Sequence, residues 1–416
     1  MSLLDTASLV VTPNGTKASK LYSVVPSSGA GDLDVTRATT ATRVNSSGLI
    51  ESVASNVPRL DYTNGTCPSI LVEPQRTNLV TYSEDFTNAS WLGSATKTAN
   101  TAISPSGVLN ADSLIEVSSS VIQSAASATI NFVSGTAYTM TVFAKNQPSG
   151  RGFVQLTGYA LGSGSSNVYA NFNLNTGVVG NQSGGSSKIE ALANGWYRCS
   201  FTFTCGNTIT ERYNVCLISS MSATAFENYT GDTSKGIYIW GAQLEAGSYA
   251  TSYIPTTSAS VTRNADVISK TGISSLIGQT EGTMFLDFEY DGVSSNFLLM
   301  QTFQNASQFN VNQLFINSTK ILGFEVGSNA SILSPNSLTA GRYKIAGAYA
   351  NNDFVLYLNG NLIGTDTSGS VISTDAITFN DYYALPITYK QVMDINLTAL
   401  WKTRLTNTQL AQLTTI

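Results

Sequence analysis

"NGWYRCSFTFTC", residues 194–205, reads as a strand and as little else. An Asn-Gly pair opens it as a turn, and Tyr197, Cys199, Phe201 and Phe203 then alternate with Arg198, Ser200, Thr202 and Thr204. Period two with one apolar face is the pattern of a half-buried strand in an antiparallel sheet. The pattern recurs on both sides. "AYTMTVFAK" (137–145) sends Tyr138, Met140, Val142 and Ala144 one way, and Thr139, Thr141, Phe143 and Lys145 the other. "FVQLTGY" (153–159) buries Val154 and Leu156, and "NVYANFNLNTG" (167–177) buries Val168, Ala170, Phe172 and Leu174 before turning. With "GIYIWGAQLE" (236–245), these short strands between turn clusters predict a sandwich over about 87–254.

A second β block runs from about 268 to 416. "GTMFLDFEY" (282–290) alternates in the same way, and "DFVLYLNGNLIGT" (353–365) is a hairpin through Asn359-Gly360, a type I′ turn signal. Thr406 and Gln409 form a capping box that opens one short helix through Leu413. Residues 1–68, rich in Thr, Ser and Asn with short apolar patches, read as extended arms and hairpins with little core of their own. The predicted fold is all-β: two antiparallel β-sandwich (jelly-roll) domains, 69–266 and 267–416, preceded by an extended N-terminal attachment region, 1–68. Val35-Thr36-Arg37 recurs as Val261-Thr262-Arg263, an echo too short to count as a repeat.

Composition narrows the function. Charged residues are 11% of the 416, well below the roughly 25% usual in soluble proteins, and the formal net charge is −5. No two basic residues are adjacent, which argues against a nucleic-acid surface. No apolar run reaches the roughly 18 residues that span a membrane. The start, Met1-Ser2-Leu3-Leu4-Asp5, lacks the features of a signal peptide. The absence of histidine removes Ser-His and Cys-His catalytic pairs and the commonest metal ligand. Of the four cysteines, Cys199 and Cys205 lie on one strand face with Cα atoms roughly 20 Å apart, beyond disulfide reach. All four are expected to be free thiols.

"ILVEPQRTNLVTYSEDF" (70–86) with Trp91, and "IYIWGAQLEAGSYATSYIPTTSASVTRNAD" (237–266), frame the central block. Together they resemble an element of tailed-phage virion proteins in which such a frame encloses a carbohydrate-binding-module-like sandwich. "GRYKIAGAYANNDFVLYLNGNLIGT" (341–365) and "ALWKTRLTNTQLAQL" (399–413) resemble laminin-G and concanavalin-like jelly rolls. Arg342-Tyr343-Lys344 stands where that family usually has a Trp-His or similar pair, which favours a shared fold over a shared site. Residues 1–33 carry no resemblance.

The resemblance implies a virion protein, either a tail fibre or receptor-binding adhesin or a head decoration. Its partners would be other virion proteins, copies of itself (a trimer first) and, for an adhesin, a host surface glycan. With the charge and hydropathy above, the expected protein binds no nucleic acid, enters no membrane and is not an enzyme. The leading reading is a tail-fibre or receptor-binding adhesin, the alternative a purely structural head-decoration or fibre protein, and the last a polysaccharide depolymerase with an acid pair that no phrase marks.

The outward residues of the central strands supply the candidate glycan site: Gln155, Tyr159, Tyr169, Asn171, Asn173 and Trp196. Aromatic faces cover the C–H faces of a sugar and amides pair with its hydroxyls. The competing and favoured reading is that the N-terminal arm, a partner subunit or the next domain covers this face. Trp91 and Trp240 are assigned to the core. Pro74 keeps Glu73 extended, and Arg76 offers five donors for loop carbonyls or an acid, Glu245 first, as a structural connector. An ordinary surface arginine is an equal alternative there. No cofactor is expected. A Ca²⁺ site through Asp287, Asp291 and Asp353 is the weaker reading of three loop acids.

Overall fold

The computed structural model describes residues 2–293, 296–304, 307–380 and 392–416. It is 54% strand and 5% helix, which settles the class as all-β. Among the described residues the one α-helix is Asn407–Thr414. It is capped as its sequence requires: Gln409 N–H donates to Thr406 Oγ1 (3.3 Å) and Thr406 N–H to Gln409 Oε1 (2.9 Å).

The chain forms two compact units, and the first is discontinuous: residues 1–46, 53–75 and 264–416 make unit 1, and 47–52 with 76–263 make unit 2. Unit 2 is a sandwich of two antiparallel sheets. Gly185–Ala191, Tyr197–Thr204, Ala137–Asn146, Gly236–Ala246, Leu109–Ile115 and Thr96–Ile103 make one, in that order. Ser124–Phe132, Ile209–Leu217, Phe153–Gly158, Val168–Asn173 and Val178–Ser183 make the other. The alternation puts the expected residues inside. Tyr138, Met140, Val142, Ala144, Cys199, Phe201 and Phe203 from the first sheet share a core with Val154, Leu156, Val168, Ala170 and Phe172 from the second. Trp91 belongs to this core as well, and Trp240 is equally buried.

Unit 1 is built on one long antiparallel sheet that folds over its own core. Gly347, in Gly341–Ala350, shows how tightly: a Cβ there would come within 2.5 Å of the Phe324 ring, in Ile321–Val326 near the other end of the sheet. The Asn359-Gly360 hairpin has φ of 47° and 82°, the two positive values a type I′ turn needs.

The N-terminal residues are not a separate region. Leu9–Lys17 pairs with Met393–Trp401 (Leu9 opposite Leu400), and Leu33–Thr36 pairs with Val267–Thr271 (Val35 opposite Ile268). Leu9, Val11, Leu21, Leu33 and Val35 sit in the same core as Phe288, Phe324 and Phe354. Patches too short to enclose a core of their own take places in the C-terminal sheet, so the separate region expected over 1–68 belongs to unit 1, while the central block expected over 69–266 has its ends at 76 and 263. The four cysteines are free, with Cys67 exposed and the others buried. Burial pushes the Cys216 thiol up to about 12, which keeps it protonated and inert.

Candidate functional site

The predicted glycan face is closed. Gln155 and Asn171 stand opposite one another on Phe153–Gly158 and Val168–Asn173, turned away from the core as their alternation requires. Both are fully buried beneath the segment 218–227 of the same unit. Gln155 Nε2 donates to Asn171 Oδ1 (2.8 Å) and Thr224 O (3.1 Å), and Gln155 Oε1 accepts from Phe226 N–H (3.1 Å). Asn171 Nδ2 donates to the carbonyls of Met221 (3.1 Å) and Ala223 (2.8 Å). The amides that were to meet sugar hydroxyls satisfy an irregular loop instead, because its carbonyls have no strand to pair with.

The other four candidates disperse. Tyr169 is buried, its hydroxyl accepting from Asn181 Nδ2 (2.9 Å). Asn173 is half-buried and its Oδ1 accepts from Asn175 N–H (2.9 Å), stabilising the turn. Trp196 belongs to the other sheet's end, where it is buried and donates from Nε1 to Ile103 O (3.0 Å). Tyr159 alone is well exposed, at 58%, with its ring 6.4 Å from that of Phe226.

The two ends of the connector meet. Arg76–Asn78 pairs with Val261–Arg263, so the two ends of the central block converge as expected. Arg76 is half-buried rather than largely buried, with its guanidinium 4.9 Å from the centre of the Tyr249 ring. Glu245 is fully buried and accepts from Thr251 N–H (3.0 Å) and the Thr251 hydroxyl. The tightest knot is Asn78, which the sequence did not single out. Its Nδ2 donates to Ala242 O (3.1 Å) and Ile254 O (2.9 Å), and its Oδ1 accepts from the N–H groups of Val80 and Leu244 (3.1 Å each).

"YSEDF" leads to a polar pocket of about 310 Å³ lined by Glu84, Asp85, Ala99, Asn100, Asn110 and Asp112. Burial raises both Glu84 and Asp112 above the usual carboxylate range. Their oxygens are already engaged. Glu84 accepts from Asn110 Nδ2 (3.0 Å) and the Tyr253 hydroxyl (3.2 Å), and Asp112 from the N–H groups of Phe86 (2.8 Å) and Asn100 (3.0 Å). These are the contacts of acids that fix turns. The acids weighed for Ca²⁺ also have protein partners: Asp287 with Arg342 (2.7 Å), Asp353 with Arg404 (2.9 Å), and Asp291 with Val293 N–H (3.0 Å). Among the described residues no group of three or more Cys, Asp or Glu is placed to hold a metal ion.

Unit 1 holds a cluster that sequence reasoning missed. Arg37, Arg59, Glu73 and Asp266 are each no more than 2% exposed. Arg59 reaches Glu73 Oε2 (2.7 Å) and Asp266, and Arg37 reaches Asp266 Oδ1 (2.7 Å). Burial works against the charge on Arg59, yet Asp266 and Glu73 outweigh it and hold Arg59 above its ordinary value. The remaining Arg37 donors go to the carbonyls of Thr39 (3.0 Å), Ala54 (2.6 Å) and Val57 (3.2 Å).

Nearby in unit 1, Asp394 accepts from Ser69 Oγ (2.8 Å) and Asn64 Nδ2 (3.1 Å). Burial first, and then the charge of Asp61, push it up to about 7. Between about pH 4 and 7 the folded chain therefore keeps a proton that an unfolded aspartate has released. The stability this contributes is complete below about pH 4 and is lost as the pH rises through 7. The melting temperature of unit 1 in wild type, measured relative to Asp394→Asn by calorimetry, is expected to fall across that window. Parallel curves would remove Asp394 as a source of pH dependence.

No protein-family model matches this chain, and no curated protein matches it. Among solved structures, the chain is similar in part to the NanB sialidase of Streptococcus pneumoniae. The match has 14% identity and a TM-score of 0.31, covering 35% of this chain and 26% of that one. It is also similar to the CBM40 of Ruminococcus gnavus IT-sialidase bound to α2,3 sialyllactose, with 16% identity and a TM-score of 0.31, covering 34% and 86%. A third likeness is to the binding domain of botulinum neurotoxin serotype D, with 13% identity and a TM-score of 0.28, covering 35% and 39%. The chain thus spans about a quarter of the length of NanB. Nothing about a ligand follows from likenesses this partial.

Proposed function

We propose that this chain is a non-enzymatic structural protein of a tailed-phage virion, a decoration or fibre component. The phage assignment rests on the resemblance carried by residues 70–86 and 237–266. One observation favours the structural role over adhesion through the central sandwich: Gln155 and Asn171 are buried and spend their amides on the 218–227 segment. The only exposed aromatic of the candidate set, Tyr159, carries the second reading, an adhesin with a small platform beside Phe226.

The test has two arms. Immunogold labelling of purified particles with an antibody to the full chain is expected to decorate them, and unlabelled particles would overturn the virion assignment. A glycan array probed with the full chain is expected to be blank. Binding that is lost in Tyr159→Ala would instead establish the adhesin.

A further inference from the structure

The chain leaves unit 1 after Gln75 and returns at Asn264, and residues 76–263 between them belong to unit 2. Just inside those two points, unit 1 is fastened. Asp266 N–H donates to Glu73 O (2.9 Å), and Glu73 N–H donates to Asp266 Oδ2 (3.0 Å). Arg59 bridges both carboxylates, and Arg37 shares the Asp266 carboxylate with it. The residues flanking this cluster are strands of the unit 1 sheet. Ser69–Val72 precedes Glu73 and pairs with Met393–Trp401, while Val267–Thr271 follows Asp266 and pairs with Leu33–Thr36, directly before Arg37. All four charged residues lie in unit 1. Among the described residues the unit 2 core cluster runs from Val80 to Leu244, within unit 2 itself.

We propose that Arg37, Arg59, Glu73 and Asp266 form a latch that closes unit 1 across the insertion, so that unit 1 keeps its fold while unit 2 opens. Apolar side chains of the same size could fill the space as stably, since desolvation offsets much of the attraction between buried charges. A charge cluster adds direction. Asp266, on the returning chain, satisfies both arginines only when it reaches the place Glu73 marks on the outgoing chain. Unit 1 then treats residues 76–263 as a closed loop, and the cost of such closure grows only slowly with loop length. The inference is independent of the virion reading.

The test uses the full chain and hydrogen exchange read by mass spectrometry at rising urea. Phe201, fully buried in the unit 2 core, is replaced by alanine. Amides in Ala137–Asn146 and Tyr197–Thr204 are expected to lose protection roughly 1–3 M earlier than in wild type, from the usual cost of such a cavity and the usual urea slope. Amides in Glu281–Tyr290 and Gly341–Ala350 are expected to keep the wild-type midpoint. Should Phe201→Ala unfold unit 2 without urea, protection retained in unit 1 supports the latch and protection lost overturns it. In the second variant, Asp266→Ala, the unit 1 midpoint is expected to fall while that of unit 2 stays. An unchanged unit 1 midpoint would overturn the latch, as would units that open together in Phe201→Ala alone.

Discussion

Arg59→Met is expected to cost unit 1 about 3–5 kcal/mol, the usual penalty for removing one partner from a buried ion pair. Methionine fills much of the space, so the loss is electrostatic rather than a packing defect. Glu73 loses its 2.7 Å contact to the guanidinium, and Asp266 loses Arg59 while it keeps Arg37 and the Glu73 N–H. The Glu73 carboxylate then loses the Arg59 counter-charge at a site no more than 2% exposed. The calorimetric transition of unit 1 is expected to move down by roughly 6–20 °C, at the 2–4 °C per kcal/mol usual for units of this size. Removing the stranded anion too, in Arg59→Met/Glu73→Leu, is expected to recover part of the loss, and a double-mutant cycle measures the coupling. A single variant that melts with wild type would mean that water or relaxation compensates the charges and that the cluster contributes no stability.

Much of the fold is legible in local pattern. Alternation alone puts Tyr138, Met140 and Val142 in one core with Phe201 and Phe203. The chemistry of single turns and caps accounts for the Asn359-Gly360 hairpin and for Thr406 with Gln409. What local pattern lacks is the identity of whatever lies on the second face of a strand. Gln155 and Asn171 alternate as an exposed pair would, and nothing in "FVQLTGY" says that residues 218–227 cover them. The same gap hides long-range partners. Leu9 and Leu400, or Arg37 and Asp266 at a separation of 229 residues, meet only when the sheet closes. One trace of buried arginine was present in the sequence. The two Val-Thr-Arg copies each end in an arginine that is 1% exposed, Arg37 and Arg263. In a chain with only 21 basic residues, a phrase that twice ends in arginine is a stronger signal than its three letters suggest.

Asn78→Asp is expected to destabilise unit 2 by about 3–5 kcal/mol at pH 8, although it changes a single atom type, because it leaves an unpaired charge in the interior. Both acceptor contacts survive in principle, since a carboxylate oxygen can still receive the N–H groups of Val80 and Leu244. The two donor contacts do not. Where Asn78 Nδ2 faces Ala242 O and Ile254 O, the variant sets oxygen against oxygen at a fully buried site. Only the protonated acid relieves this, by donating to one of the two carbonyls, so the folded variant raises the pKa of its new carboxyl group. A raised carboxylate gives stability that is present below the unfolded pKa near 4 and is lost as the pH climbs through the folded value. The deficit relative to wild type is therefore expected to be smaller at pH 5 than at pH 8. Urea unfolding followed by tryptophan fluorescence reads it, because Trp91, Trp196 and Trp240 are all buried in unit 2. A variant within about 1 kcal/mol of wild type at both pH values would show that the neighbouring loops adjust around Asn78. The knot that holds the two ends of the central sandwich together would then have to be sought in the Ser83, Tyr253 and Thr256 contacts instead, where Ser83 Oγ lies 2.7 Å from the Tyr253 hydroxyl and accepts from Thr256 N–H at 2.8 Å.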